Sequence, residues 1–347
     1  MPKRPHSIIA ILSVLACCSF ARAEDDPRIS DALRSGMRYM IESASVPENF
    51  EEYASDYLFF FADVARLPDP WIQERAQVVG LRLGFVYMEE YFELEDADEV
   101  VDAASALYAL ECLGMDVEAA RVVLQAAADK FPVEDYLGFD PSDGQAPNLD
   151  HLIDLLISFH FTDRLGIDLG VSYAEALMYI PSVAYEHYSE IGGDNYVDQN
   201  NLVTHLIYTW SGYASWLLEV ELMPRELDYI RAHIQGALMW ADPETLSEYV
   251  DSLQLMGFGR EDPDVAAGIE VLLATQKPDG RWEPDEVEDE YDRYHSTWCA
   301  MDALREYKIG GQLGPRDILV KRLLKIWADQ YRDGLVFDPA LEIREDQ

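Results

Sequence analysis

The stretch "YDRYHSTWCAMDAL" at 291–304 sets one imidazole, His295, near the start of a helical pattern, with Cys299 one turn further on. Three other segments offer a similar group at an equivalent place: His151 in "LDHLIDLLISFHFTDRLG", His205 in "VTHLIYTWSGYASWLLE" and Glu248 in "LSEYVDSLQLMGFGRED". Three imidazoles and one carboxylate brought to one level make a first-row metal site. The set suits Zn, Fe or Cu and leaves a coordination position for water or substrate, with Glu248 as ligand or general base. Asp150, Asp198 and Asp292 stand beside the ligand positions, where a carboxylate can fix an imidazole tautomer. Each is equally an ordinary helix-start residue. Cys299 is either a soft extra ligand or a buried apolar thiol. Tyr208, Thr209, Asp251 and Asp302 lie deeper on the same faces. His160 and His187 fall outside the register, with His187 the replacement if Glu248 is not a ligand.

The scaffold must hold these groups together. A chain of 347 residues, 49% hydrophobic and 12% aromatic, can bury a large core. It opens with "MPKR", an apolar run "SIIAILSVLACCSF" and "ARA", the layout of a secretory leader cleaved after Ala23. The expected organisation is therefore a signal peptide over 1–23 and a single domain over 24–347, exported to the periplasm or medium. "VLAC" at 14–17 gives an alternative, a lipoprotein anchored through Cys17. The apolar run is shorter than the ~20 residues of a membrane span. Outside the leader only Cys112 and Cys299 remain, too few for a disulfide framework. The net charge is −40, and becomes −43 when Lys3, Arg4 and Arg22 leave with the leader. Such a surface repels nucleic acid and anionic membranes.

Apolar residues recur every three or four positions in "DALRSGMRYMIES", "WIQERAQVVGLRLGFVYM", "EAARVVLQAAADKF" and "DILVKRLLKIWADQY", separated by Pro, Gly and Asp clusters. The class is all-α. A weak repeat anchored on Asp102, His151, His205, Glu248 and His295 has spacings of 49, 54, 43 and 47 residues. Between the copies a second helix starts near Asp116, Ser172, Pro224, Asp262 and Gly314. Two helices per period describe an array of hairpins, five or six of which can close into a double ring around a central cavity.

Here the chain resembles a known group. "QKPDGRW", through Gln276, Gly280 and Trp282, fits the Gln-x-x-x-Gly-x-Trp motif of terpene cyclases and their relatives. "DRYHSTWCAMDAL" is similar to the Asp-x-Tyr-His-Thr-x-Tyr/Trp stretch of prenyltransferase β subunits. The resemblance is strongest over about 270–312 and extends more weakly over 95–345. It implies an α/α toroid, with inner helices starting near 99, 150, 200, 245 and 292, whose equivalent positions meet at the cavity mouth. In the prenyltransferases the histidine matching His295 is a zinc ligand beside an Asp-x-Cys motif. This chain has no such motif, nor the Asp-x-Asp-Asp of the cyclases, and its inner-helix segments carry few Lys or Arg to hold a diphosphate. Prenyl transfer and cyclisation are therefore not expected. Two readings stand: an exported metal-dependent enzyme, hydrolytic or oxidative, with a small-molecule or peptide substrate in the cavity; or a non-catalytic binding or scaffold protein of the same fold.

Overall fold

The computed structural model describes residues 26–138, 148–182, 185–187, 193–283, 287–305 and 313–334. The expected leader at 1–23, with Cys17, lies outside them. The described chain is all-α: α1 (Pro27–Ser43), α2 (Pro47–Glu52), α3 (Ala54–Val64), α4 (Pro70–Val86), α5 (Ala97–Cys112), α6 (Glu118–Ala128), α7 (Val133–Leu137), α8 (Leu149–Leu165), α9 (Tyr173–Ala176), α10 (Gly193–Ser211), α11 (Pro224–Trp240), α12 (Pro243–Leu255), α13 (Pro263–Thr275), α14 (Glu290–Leu304) and α15 (Ile318–Arg332). The exception to helix and loop is a two-residue parallel pairing of Leu217–Leu218 with Leu313–Gly314. None of these helices is long and apolar enough to cross a membrane.

The Asp-Pro pairs that punctuate the sequence are helix starts. Asp26, Asp69, Asp242 and Asp262 each cap a helix whose first residue is proline, the side chain accepting from backbone N–H groups one or two residues inside. The carboxylate satisfies donors that the first turn leaves open, and proline sits where no N–H is needed. Helices were expected near 99, 150, 245 and 292, and α5, α8, α12 and α14 begin within two residues of those points. α10 starts earlier than expected, at Gly193. α3 was not anticipated, because "ASDYLFFFADV" is apolar around its whole circumference and shows no face.

α3 packs on α5, α5 on α8, α8 on α10, α10 on α12 and α12 on α14. α14 then returns to α3: Tyr294 lies 4.7 Å from Tyr57 between ring centroids, Trp298 packs on Phe60, and Arg305 pairs with Asp63. α4 packs on α3, α6 on α5, and α11 and α13 on α12.

The Gln-x-x-x-Gly-x-Trp motif is a staple within this scaffold. Gln276 Nε2 donates to the carbonyl oxygens of Ala32 and Gly280, each at 2.9 Å, tying the end of α13 to α1. Trp282 is buried, and its indole N–H donates to Leu272 O at 2.8 Å. Gly280 has φ +102°, and a Cβ there would run into the carbonyl of Ser35. Only glycine fits both requirements.

Candidate functional site

α12 is enclosed by α10, α11, α13 and α14, so even its polar residues are out of water: Ser247, Glu248, Asp251 and Ser252 are all buried. Glu244, Glu248 and Asp251 follow one another at helical spacing along one stripe. On α14 the matching stripe carries Tyr291, His295, Trp298, Cys299 and Asp302, and α10 adds His205 and Tyr208. Asp56 and Phe59 from α3, Ser105 from α5 and Phe161 from α8 complete the walls of a cavity of about 120 Å³. Two more open hollows are present, one of about 250 Å³ beside Arg34 and Asp69 that shares Arg305 with the cavity and one of about 300 Å³ beside Glu51 and Glu90. Neither is lined by an imidazole.

Of the expected set, His205, Glu248 and His295 line the cavity together, with Tyr208, Asp251 and Asp302. His151 stands apart. Its Nε2 is hydrogen-bonded to the carbonyl of Leu137, and its ring lies against Gly138 at the end of α7. The expected fourth position is therefore spent on the α7–α8 connection. His187 lies elsewhere too, its ring 4.9 Å from that of His233. Thr209 donates to His205 O at 2.8 Å instead of lining the cavity, and neither Asp198 nor Asp292 reaches it. The side chain of Asp150 lies outside the described residues.

Each group has a defined protonation state. His205 Nδ1 is 2.7 Å from Asn201 O, which only a protonated nitrogen can satisfy, so Nε2 carries the lone pair. Burial lowers its pKa to about 4 and keeps the ring neutral. Glu248 is 1% exposed. Burial, and then the charge of Glu244, push it up to about 8. Thr204 Oγ1 donates to its Oε2 at 2.9 Å, whereas Oε1 is buried with no hydrogen-bond partner.

His295 is the opposite case. Burial disfavours its charge, but Cys299, Tyr291 and Glu244 outweigh burial and carry its pKa well above the usual value. The Cys299 thiol and the Tyr291 hydroxyl are both pushed up to about 12 and carry no charge at neutral pH, so the partner that acts there is Glu244, whose Oε1 lies 3.3 Å from Nδ1. Burial works against ionised Glu244, but the His295 charge wins and lowers it. Tyr291 stacks on the imidazole at 4.9 Å and 14°. Cys299 is buried and Cys112 exposed, and both are free thiols.

Tyr213 and Ala214 also line the cavity, and with Gly212 they form three consecutive residues in left-handed conformation, with φ of 58° at Gly212, 47° at Tyr213 and 60° at Ala214. For the two non-glycine residues this costs on the order of 1 kcal/mol each. The strain places Tyr213 into the cavity, stacked on Phe161 at 5.1 Å and edge-on to Phe59 at 4.9 Å.

Of the four expected ligands, His151 is absent from the cavity wall, and His295 pairs with Glu244. Among the described residues no group of three or more His, Cys, Asp and Glu is arranged to hold a metal ion. Sequence reasoning missed Asp56, Phe59, Glu244 and Tyr213. The acid-per-turn pattern of "PETLSEYVDSL" was the available signal for Glu244. Family models, curated proteins and solved structures give no match to the chain.

Proposed function

We propose that this protein is an exported enzyme of α/α-toroid architecture that hydrolyses a small substrate by acid–base catalysis in its central cavity. The leader-like N-terminus supports export, and the unbroken succession of helix contacts from α3 to α14 and back to α3 supports the toroid. One observation carries the chemistry: a carboxyl group, Glu248, fully buried in a cavity that it shares with two imidazoles, His205 and His295, with its pKa pushed up to about 8 by that burial and by Glu244. Two kinds of group driven to opposite protonation states make an acid and a base of one site. In this reading His205 Nε2 accepts a proton from water as its oxygen attacks, and the Glu248 carboxyl gives a proton to the leaving group. His295, held cationic by Glu244, faces the developing negative charge.

The competing reading, a divalent metal on His205, Glu248 and His295, has in its favour that all three line one cavity. Loading the purified protein with Zn, Fe and Cu separates the two. A stoichiometric metal lost in His205→Ala supports the metal and overturns the acid–base reading. Turnover of chromogenic esters, amides and glycosides then tests the chemistry. It should require His205 deprotonated and Glu248 protonated, and so fall off below about pH 4 and above about pH 8. Glu248→Gln should lower kcat by about 10²–10⁴-fold. Turnover unchanged by Glu248→Gln contradicts the assignment. Ligand binding without turnover of any substrate favours the scaffold alternative.

A further inference from the structure

The turn that ends α10 uses glycine only where space demands it. At Gly212 a Cβ would stand 2.7 Å from the Trp216 ring, which is itself held by its indole N–H donating to Trp210 O at 2.7 Å. Tyr213 and Ala214 keep side chains in the same left-handed backbone, at φ 47° and 60°. Glycine would adopt either conformation freely. A tyrosine retained against its backbone is there for its side chain, and such outliers concentrate where a site has to be shaped.

The ring of Tyr213 is packed into the aromatic wall of the cavity. It lies 5.1 Å from Phe161 at 22°, 4.9 Å from Phe59 at 81° and 6.2 Å from Tyr208 at 30°, and all four residues line the same space. It also meets the buried His160 at 5.4 Å. Contacts with four rings leave it little room to turn aside. The backbone is braced as well. Arg66 Nη2 donates to Tyr213 O at 2.7 Å, Arg66 pairs with the buried Asp63, and Asp63 pairs with Arg305. The strained turn is thereby tied to α3 and to the end of α14, the helices that carry Asp56 and His295. Tyr213 is a fixed wall, not a lid.

We infer that Tyr213 sets the size of the group that can enter this cavity of about 120 Å³, so that the substrate presents a short chain or a single small ring to Glu248 and extended chains are excluded. The inference rests on the cavity being the working site, and it makes Tyr213 the residue that determines specificity there.

Cys299 lines the same cavity and is buried, so its reaction reports which molecules get in; the exposed Cys112 gives the rate without that restriction. Methyl and hexyl methanethiosulfonate each transfer an S-alkyl group to a thiolate and release methanesulfinate, and they differ only in chain length. Modification of the full chain is followed by mass spectrometry of the Cys299 peptide, scaled to the Cys112 peptide. The hexyl reagent should react at Cys299 at least about tenfold more slowly than the methyl reagent. Tyr213→Gly should bring the hexyl rate within about threefold of the methyl rate and leave the methyl rate within about threefold of wild type. Tyr213→Phe, which keeps the ring, and Ala214→Gly, which relieves strain without opening the wall, should both keep the wild-type ratio. Equal rates of the two reagents in the wild type, or a hexyl rate that Tyr213→Gly does not raise, overturn the inference. So does a methyl rate that rises together with the hexyl rate in Tyr213→Gly, which would make the tyrosine a prop of the fold and not a limit on size. No reaction of Cys299 with the methyl reagent, against complete reaction in urea, overturns it too, because nothing then enters the cavity. None of these readouts uses turnover, so the Glu248 chemistry stands or falls on its own test.

Discussion

Between about 4.5, its ordinary value, and about 8 in the fold, Glu248 retains a proton that the unfolded chain releases. Across that window the unfolded state binds fewer protons than the native one, so stability falls as pH rises, by at most about 1.4 kcal/mol per unit. Below about pH 4.5 both states are protonated and the residue costs nothing by this route. Glu248→Gln keeps the shape and removes the ionisation. The variant should therefore match the wild type near pH 4.5 and become the more stable by a few kcal/mol near pH 8. Urea denaturation at several pH values measures the difference. A difference that does not change with pH would mean that Glu248 ionises in the fold much as in water. The cavity polar groups thus carry a stability cost that packing alone would not select.

At the scale of elements, the clearest dependence is on the staple between α13 and α1. Gly280→Ala must relieve both a positive φ and a contact with the Ser35 carbonyl. It should destabilise by about 3 kcal/mol or more, measured by chemical denaturation. Loss of under about 1 kcal/mol would mean that the loop shifts freely and the motif is not structural. This motif was legible in the sequence because its residue types are unusual and closely spaced. The starts of α5, α8, α12 and α14 were legible for a similar reason: Asp, Asn and Pro mark helix ends chemically. α3 was not legible, since a helix buried on every side loses its periodic face. The site was read in part. Register along the repeat brought His205, Glu248 and His295 to one cavity, but it carried His151 along on a weaker alignment. There the glycine turn at Gly138 draws the imidazole to the Leu137 carbonyl. Asp56 was hidden because pairing across helices leaves no trace in local spacing, whereas Glu244 stood in a helical acid pattern with Glu248 and Asp251 that was not followed.

The whole molecule carries 66 acidic against 26 basic residues, and much of that charge repels itself across the surface. Raising ionic strength from about 0.01 to 0.15 M shortens the screening length from about 30 to 8 Å. The thermal midpoint should rise with it; a falling midpoint would mean that attractive pairs dominate the surface instead. Amid so many ionised carboxylates, the proposed chemistry requires one that is not. Infrared difference spectroscopy of the wild type against Glu248→Gln at pH 7 addresses that directly. The proposed chemistry predicts the carbonyl stretch of an un-ionised carboxyl group in the wild type, absent from the variant, that disappears on titration near pH 8. A carboxylate signal at pH 7 in its place would contradict it.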